Sequence, residues 1–528
     1  MSSIPTATNR YGNNFQLCMN LLVVIPTFLA MGLSQSWMGG VASYKSFYRQ
    51  FPQIDTSTTE GDIKAQHSIR QGAVNASLNL GAIVGCLSCI WLGNCLGRRK
   101  TIVLGAAITN FGTVLMCTSF SMPQFCVARV CLGAGLGMMS STVPVWQSEI
   151  SKVHKRGHHV IVDGICIAGG IAASGWLTYG FWRIDTTSSW QWRIPGMFPG
   201  IFATLVLLFT FIFPESPRWL VLKSRIDEAR AIFALVEGTS PEDPRVAHDL
   251  EAVIRLNEAA AESASLSSLF VYGKEKMLYR LALAVSVQWF TQMNGAGLIT
   301  YYSNQLFATI GLDTGTSKVV AACALTWKWV CCFIAFFTIE RAGRRKLFMI
   351  SGAGMSVCMF CLAICGSQVS DDRLAPAYAG VVFAFIFLFF LPIGYLGVNF
   401  LYCQEIITSR YRAPASGIST ATHWLTAFAV SLTTPLGFTS IGWKYYLIWG
   451  ASSATIVPTV YFFYPETTGL SVEEIDKVFL ESNGISSLVK DAERARKAIP
   501  RNAPDTVARV EHMGNVDEKP ENEFIEKV

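Results

Sequence analysis

The sequence predicts an all-α membrane protein with twelve transmembrane helices arranged as two pseudo-symmetric halves of six. Three observations carry this reading. Apolar residues make up 51% of the 528-residue chain and charged residues only 15%, against roughly 25% charged in a typical soluble protein. The 34 Phe and 14 Trp sit in long apolar runs, and a spanning helix needs ~20 such residues. A set of short motifs in the first half also returns, in the same order, in the second. This composition excludes an ordinary water-soluble enzyme. The net charge of +6 is too weak and scattered to form a nucleic-acid footprint. Most of the 15 Cys lie inside apolar runs, where they read as small buried hydrophobes. No metal site and no cofactor are expected.

Taken in order, the spans fall near 17–40, 71–93, 101–121, 124–147, 159–181 and 195–213, then 279–308, 316–339, 347–368, 376–404, 415–438 and 443–464. Residues 1–16 are polar, lack a cleavage site and read as a cytoplasmic segment rather than a signal peptide. Residues 17–214 then form one bundle and 279–464 the other. Between them, 215–278 reads as a cytoplasmic helical linker, because Ile226, Ala229, Ile232, Phe233 and Leu235 recur at helical spacing. It contains no Gly-x4-Gly-Lys-Ser/Thr phosphate loop, which speaks against an ATP-driven pump. Residues 465–528 form a cytoplasmic tail; its charge, Pro content and shortage of aromatics predict that it is largely disordered.

Orientation follows from the basic turns near 97–100, 152–159, 341–346 and 410–412. Each follows an even-numbered span, which places both termini in the cytoplasm and the 41–70 loop outside. Asn75-Ala76-Ser77 is formally a glycosylation sequence, but it opens a span.

The repeat is specific. Leu96-Gly97-Arg98-Arg99-Lys100 returns as Ala342-Gly343-Arg344-Arg345-Lys346. Glu149 with Arg156 returns as Glu405 with Arg412, and Pro214-Glu215 returns as Pro465-Glu466. The three pairs are separated by nearly the same interval, as two homologous bundles require. Two bundles with a site between them suit a carrier that rocks about its centre.

These motifs resemble those of the major facilitator superfamily, in its sugar porter family and most closely its fungal branch. The likeness spans about residues 17 to 475. Glu340-Arg341-Ala342-Gly343-Arg344-Arg345 fits the family's acidic-x-x-Gly-Arg-Arg loop, and Asn94 fills the acidic slot of its first-half counterpart. Arg129, Gly133, Gly135, Gly137, Val143-Pro144 and Glu149 fit the fourth span. Pro214-Glu215-Ser216-Pro217-Arg218-Trp219-Leu220 and Pro465-Glu466-Thr467-Thr468-Gly469-Leu470 fit the signatures after spans six and twelve. The resemblance implies a latch of charges at the helix ends that pairs across the halves and closes the cytoplasmic side. Its members would be Arg98, Arg99, Glu149, Arg156, Glu215, Arg218, Glu340, Arg344, Arg345, Glu405, Arg412 and Glu466. Plain topogenic charge is the alternative.

Polar residues at mid-depth mark a solute path by default. The resemblance assigns substrate binding to Gln292, Tyr301 and Tyr302 in span seven, with Asn294 one turn before Gly297, which stands where the family has Asn. It adds Asn399 and Phe400 in span ten, His423 and Trp424 in span eleven, and Asp163 beside Gly164 in span five. Tyr301, Tyr302 and His423 could equally be packing residues.

Lys328 departs most from the pattern, since the family has Asn there. It lies ~18 Å along the helix from Glu340, beyond the ~6 Å reach of a Lys stem. A charge at that depth needs a partner, water or loss of its proton. Two readings stay open: a structural Lys328–Asp163 pair, or a Lys328 that binds an anionic solute. Ser34 stands where proton-coupled relatives carry Asp, so a coupled proton would ride on Asp163 or His423, or the carrier is a facilitator. The expected protein is thus an integral protein of the lipid bilayer, in the plasma membrane. It is a secondary transporter of a sugar or sugar-like metabolite, with protons as a candidate partner. The alternatives are a transporter of a carboxylate-bearing metabolite and a non-transporting nutrient receptor; no enzyme activity is expected.

Overall fold

Among the described residues, ten stretches are helical, long and apolar enough to cross a membrane. One of them, Arg412–Phe463, holds two helices, Arg412–Ile441 and Tyr445–Phe463, parted by a turn at Gly442. The expected seventh span is present as two shorter helices, Met277–Met293 and Ala296–Thr309. With these the count reaches twelve, as the sequence predicts. The computed structural model describes residues 12–56, 59, 61–151, 156–184, 188–261, 266–309, 313–369, 375–408, 411–470, 472–482 and 484–498. Large apolar side chains such as Phe111, Phe211, Phe337, Val357 and Phe462 are exposed along the spans. In a membrane they meet acyl chains rather than water, which makes the protein an integral membrane protein.

Spans seven and ten are broken, which the apolar runs did not reveal. Span seven breaks at Asn294-Gly295, where Gly295 has φ +87°. The Asn294 carboxamide accepts the N–H of Ala296 at 2.8 Å and caps the second piece. Span ten breaks between Ala375–Tyr395 and Val398–Ile406. There Gly397 has φ +102°, and Asn399 Oδ1 accepts its N–H at 3.0 Å. Unwound backbone at membrane depth persists only where protein or a cavity satisfies it. In transporters, such breaks border the solute site.

The halves meet through small residues that let backbones approach. Span two (Gly61–Cys95) lies along span eleven, and span five (Arg156–Arg183) along span eight (Thr314–Ala342). A Cβ added at Gly72 would stand 2.8 Å from the Leu432 carbonyl, and one at Gly164 2.7 Å from the Gly397 nitrogen. Span two also continues outward to Gly61, about three turns beyond its apolar run. Asn75 lies within it, with its amide donating to the Tyr302 hydroxyl at 2.9 Å, a position unsuited to glycosylation.

The linker holds helices Pro217–Leu222, Ile226–Glu237 and Pro244–Ala261 around Trp219, Leu220, Ala229, Leu250 and Val253. The tail corrects the expectation of disorder for 465–528. It forms helices Val472–Glu481 and Ile485–Ala498, which dock on the end of the bundle that carries the repeated basic motifs. Ile475 and Phe479, then Leu488 and Ala492, are spaced four apart and buried, so each helix has one apolar face despite its charge. The Arg280 guanidinium lies 4.0 Å from the Phe479 ring centre and pairs with Asp476. Lys276 donates to the carbonyls of Phe479 and Ser482. The rest of that expectation, 499–528, lies outside the described residues, as do residues 1–11.

Candidate functional site

Between the halves lies a cavity walled by both broken helices and by spans one, five, eight and eleven. Among the residues predicted from sequence, Gln292, Tyr301, Lys328, Asn399, Phe400 and His423 line it. The Gln292 amide approaches His423 Nε2 at 3.0 Å. Neither His423 Nδ1 nor Gln292 Oε1 has a hydrogen-bond partner, nor does the hydroxyl of Tyr395 on the same wall. Asn399 turns its amide to Gln288 and Thr291 of span seven, both at 3.2 Å, and so joins the two breaks. Lys328 donates to Thr300 Oγ1 at 3.2 Å.

Four predicted ligands lie elsewhere. Asn294 caps the break, and its carbonyl accepts from Ser453 of span twelve. The Tyr302 hydroxyl donates to the Ser431 carbonyl at 2.8 Å within the second half and accepts from Asn75 of the first half, near the end opposite the basic motifs. The Trp424 indole donates to Ser140 Oγ at 3.3 Å in the packing of span eleven on span four (Met122–Ile150). Asp163 is buried beside Gln147, away from the cavity wall. The Lys328–Asp163 pair therefore does not form: the two side chains point to different neighbours.

Sequence reasoning passed over Gln35, Thr291, Thr300 and Tyr395, which also line the cavity. Thr300 was legible, since Gln292, Ala296 and Thr300 are spaced four apart and share a face. A second, narrow pocket lies toward the other end of span eight and shares Thr300 and Tyr301 with the first. Lys318 lines it.

The charged motifs form the same device twice, at one end of each half. Arg98 grips Glu149 through Nε at 2.9 Å and Nη2 at 3.1 Å. Glu215 accepts the backbone N–H groups of Arg98 and Arg99 at the start of span three, the helix Arg98–Cys117. In the second half Arg344 meets Glu405 at 2.8 Å, and Glu466 accepts the N–H groups of Arg344 and Arg345. A carboxylate at a helix N-terminus satisfies orphan donors and the helix dipole together. Arg218 lies near Glu149, and Arg412 is buried at the start of span eleven. The side chains of Arg156 and Glu340 lie outside the described residues. Each of these pairs joins groups of one half, because its partners sit on neighbouring helices of the same bundle. Across the halves at this end, Ser416 donates to the Ser141 carbonyl at 3.1 Å.

The profile of the family described as "Sugar (and other) transporter" matches residues 19–479. "Sugar transporter STL1" of Saccharomyces cerevisiae is 34% identical over 461 residues, covering 86% of this chain and 80% of that protein. "MFS-type transporter oryC" of Aspergillus oryzae is 32% identical over 434 residues, covering 81% of this chain and 80% of its own. Among solved structures, the proton:xylose symporter XylE bound to 6-bromo-6-deoxy-D-glucose superposes with a TM-score of 0.76. It is 21% identical, and the match covers 89% of this chain and 100% of that one, a likeness of fold. With the repeated motifs, the two bundles and the shared cavity, these matches make the chain a member of the sugar transporter family of the major facilitator superfamily.

Proposed function

We propose that this transporter carries a sugar or sugar-like polar metabolite through the central cavity by alternating access, without changing it chemically. One observation carries the reading. Gln292 Oε1, His423 Nδ1 and Tyr395 Oη are buried on one wall with no partner. Buried polar groups left unpaired are costly, and solute hydroxyls are the partners that would satisfy them. Phe400 and Tyr301 add aromatic faces for C–H surfaces. The sugar named for the yeast relative supports the same solute class.

The basic end is the cytoplasmic one, with both termini, and the plasma membrane is the site of action. The charge clamps keep each half rigid, so that the halves move as bodies. Contacts between the halves then open and close: Ser416–Ser141 on the cytoplasmic side, and Asn75–Tyr302, Asn79–Ser431 and Lys318–Gly40 on the outer side. Among the described residues, the cavity wall offers proton coupling no carboxylate, and only His423 of the two expected carriers lies on it. Ser34 spends its hydroxyl on the Ala30 carbonyl, and Asp163 lies off the wall. Accumulation that a protonophore abolishes marks a symporter; uptake that ignores it marks a facilitator.

The test is uptake into cells lacking their own sugar carriers, with a panel of neutral sugars and organic acids at two pH values. We expect uptake of at least one member above the vector control, and its loss in Gln292→Ala. Protein present at the plasma membrane with no uptake of any member would favour a receptor on the same fold.

A further inference from the structure

We propose that the solute of this carrier bears a carboxylate, which Lys328 binds in the central cavity and Lys318 receives first from the outer side. The inference rests on the reading of the central cavity as the solute site and narrows the solute to sugar-sized acids.

Lys328 and Lys318 are both buried, and both lie on span eight. They are ten residues apart, ~15 Å along the helix. Each lines its own cavity, and the two cavities adjoin at Thr300 and Tyr301. Neither wall contains an Asp or Glu among the described residues. Lys328 uses one of its three donors, on Thr300 Oγ1. The pair that would have neutralised it is absent, because Asp163 sits beside Gln147. A charge at this depth without a counter-ion marks a place where the counter-ion is supplied from outside.

Lys318 is held differently. It donates to the Gly40 carbonyl at 3.1 Å and to the Ser43 hydroxyl, with the rings of Tyr44 and Trp182 5.4 and 5.6 Å away. Gly40 and Ser43 belong to the first half and Lys318 to the second. An anion arriving in the outer cavity competes for this ammonium, so its binding weakens a tie between the halves on the side it comes from. Passing Thr300 and Tyr301, it reaches the two free donors of Lys328. Gln292 Oε1, His423 Nδ1 and the Tyr395 hydroxyl on the same wall remain for its hydroxyls.

The test uses the purified full-length protein and the uptake cells together. Binding of gluconate, galacturonate, glucose and xylose is measured for the native protein and for Lys328→Gln and Lys328→Arg, with ligand-free melting temperatures as the folding control. We expect the acids to bind, Lys328→Gln to weaken them about 10- to 100-fold, the span of a charged hydrogen bond, and Lys328→Arg to keep most of the affinity. Lys318→Gln should slow acid uptake at low concentration while leaving binding in the central cavity within about threefold. Binding of neutral sugars alone, or acid binding indifferent to Lys328→Gln, overturns the inference and leaves sugar transport standing. Lys328-dependent acid binding with no uptake of any solute supports the inference and overturns the transport reading instead.

Discussion

Gly97 faces Glu215 so closely that a Cβ at residue 97 would stand 2.5 Å from the carboxylate oxygen Oε2. Gly343 faces Glu466 at the same 2.5 Å, and the two glycines have φ of +86° and +87°. Both conditions exclude other residues: the conformation favours glycine, and the carboxylate must come close to cap the next helix. Gly97→Ala and Gly343→Ala should each destabilise the detergent-solubilised protein by about 1–3 kcal/mol. Gly93→Ala, at a helical residue where the added Cβ meets nothing within 4 Å, should be neutral or gain up to about 1 kcal/mol. Equal melting curves for the three variants would show that the caps do not hold the bundles.

The Arg98–Glu149 pair is buried on both sides. Removing one partner leaves the other charge without compensation, a loss of about 3–5 kcal/mol. Arg98→Met and Glu149→Met should therefore each lower the melting temperature more than the double variant does. If the double variant loses the sum of both, the two residues are not acting as a pair.

Gln292 supplies an unpaired oxygen to the cavity, whereas Asn294 caps a helix break. Gln292→Ala should raise the KM for the solute about tenfold, the worth of one or two hydrogen bonds, at unchanged stability. Asn294→Ala should instead lower the melting temperature, by the ~1 kcal/mol of a lost cap. A KM effect confined to Asn294→Ala would reverse these roles.

Asp163 lies off the wall. Asp163→Asn should leave the KM within about threefold, since no hydrogen bond to the solute is lost. A rise of tenfold or more would put this carboxylate back on the solute path.

Phe479 is fully buried under the Arg280 guanidinium. Phe479→Ala should release the tail helices, at a cost of about 3–5 kcal/mol to their docking. Limited proteolysis would then cut between 472 and 498 faster than in the native protein. Unchanged cutting would show that the tail is held by its ion pairs instead.

The spans and the repeat were legible because bilayer thickness and internal homology write themselves directly into hydropathy and spacing. The breaks in spans seven and ten were not, since Gly295 and Gly397 interrupt no apolar run. The tail was misread because composition averages over faces: Ile475 and Phe479 align only when helical spacing is imposed. Lys328 was recognised as deep and unusual, but which group it meets depends on side-chain direction. The sequence offered Asp163; the fold turned that carboxylate to Gln147 and left Thr300. The ion pairs were correctly matched as charged motifs, yet their partners depended on which helices are neighbours, and those lie within a half.

The passage of solute through the cavity between the halves is tested most directly by filling it. Ala296 lines the cavity beside Gln292, and its replacement by Trp places an indole where the solute would sit. Uptake should be abolished in Ala296→Trp while surface abundance and monodispersity match the native protein. Native uptake rates in that variant would mean that the solute takes another route.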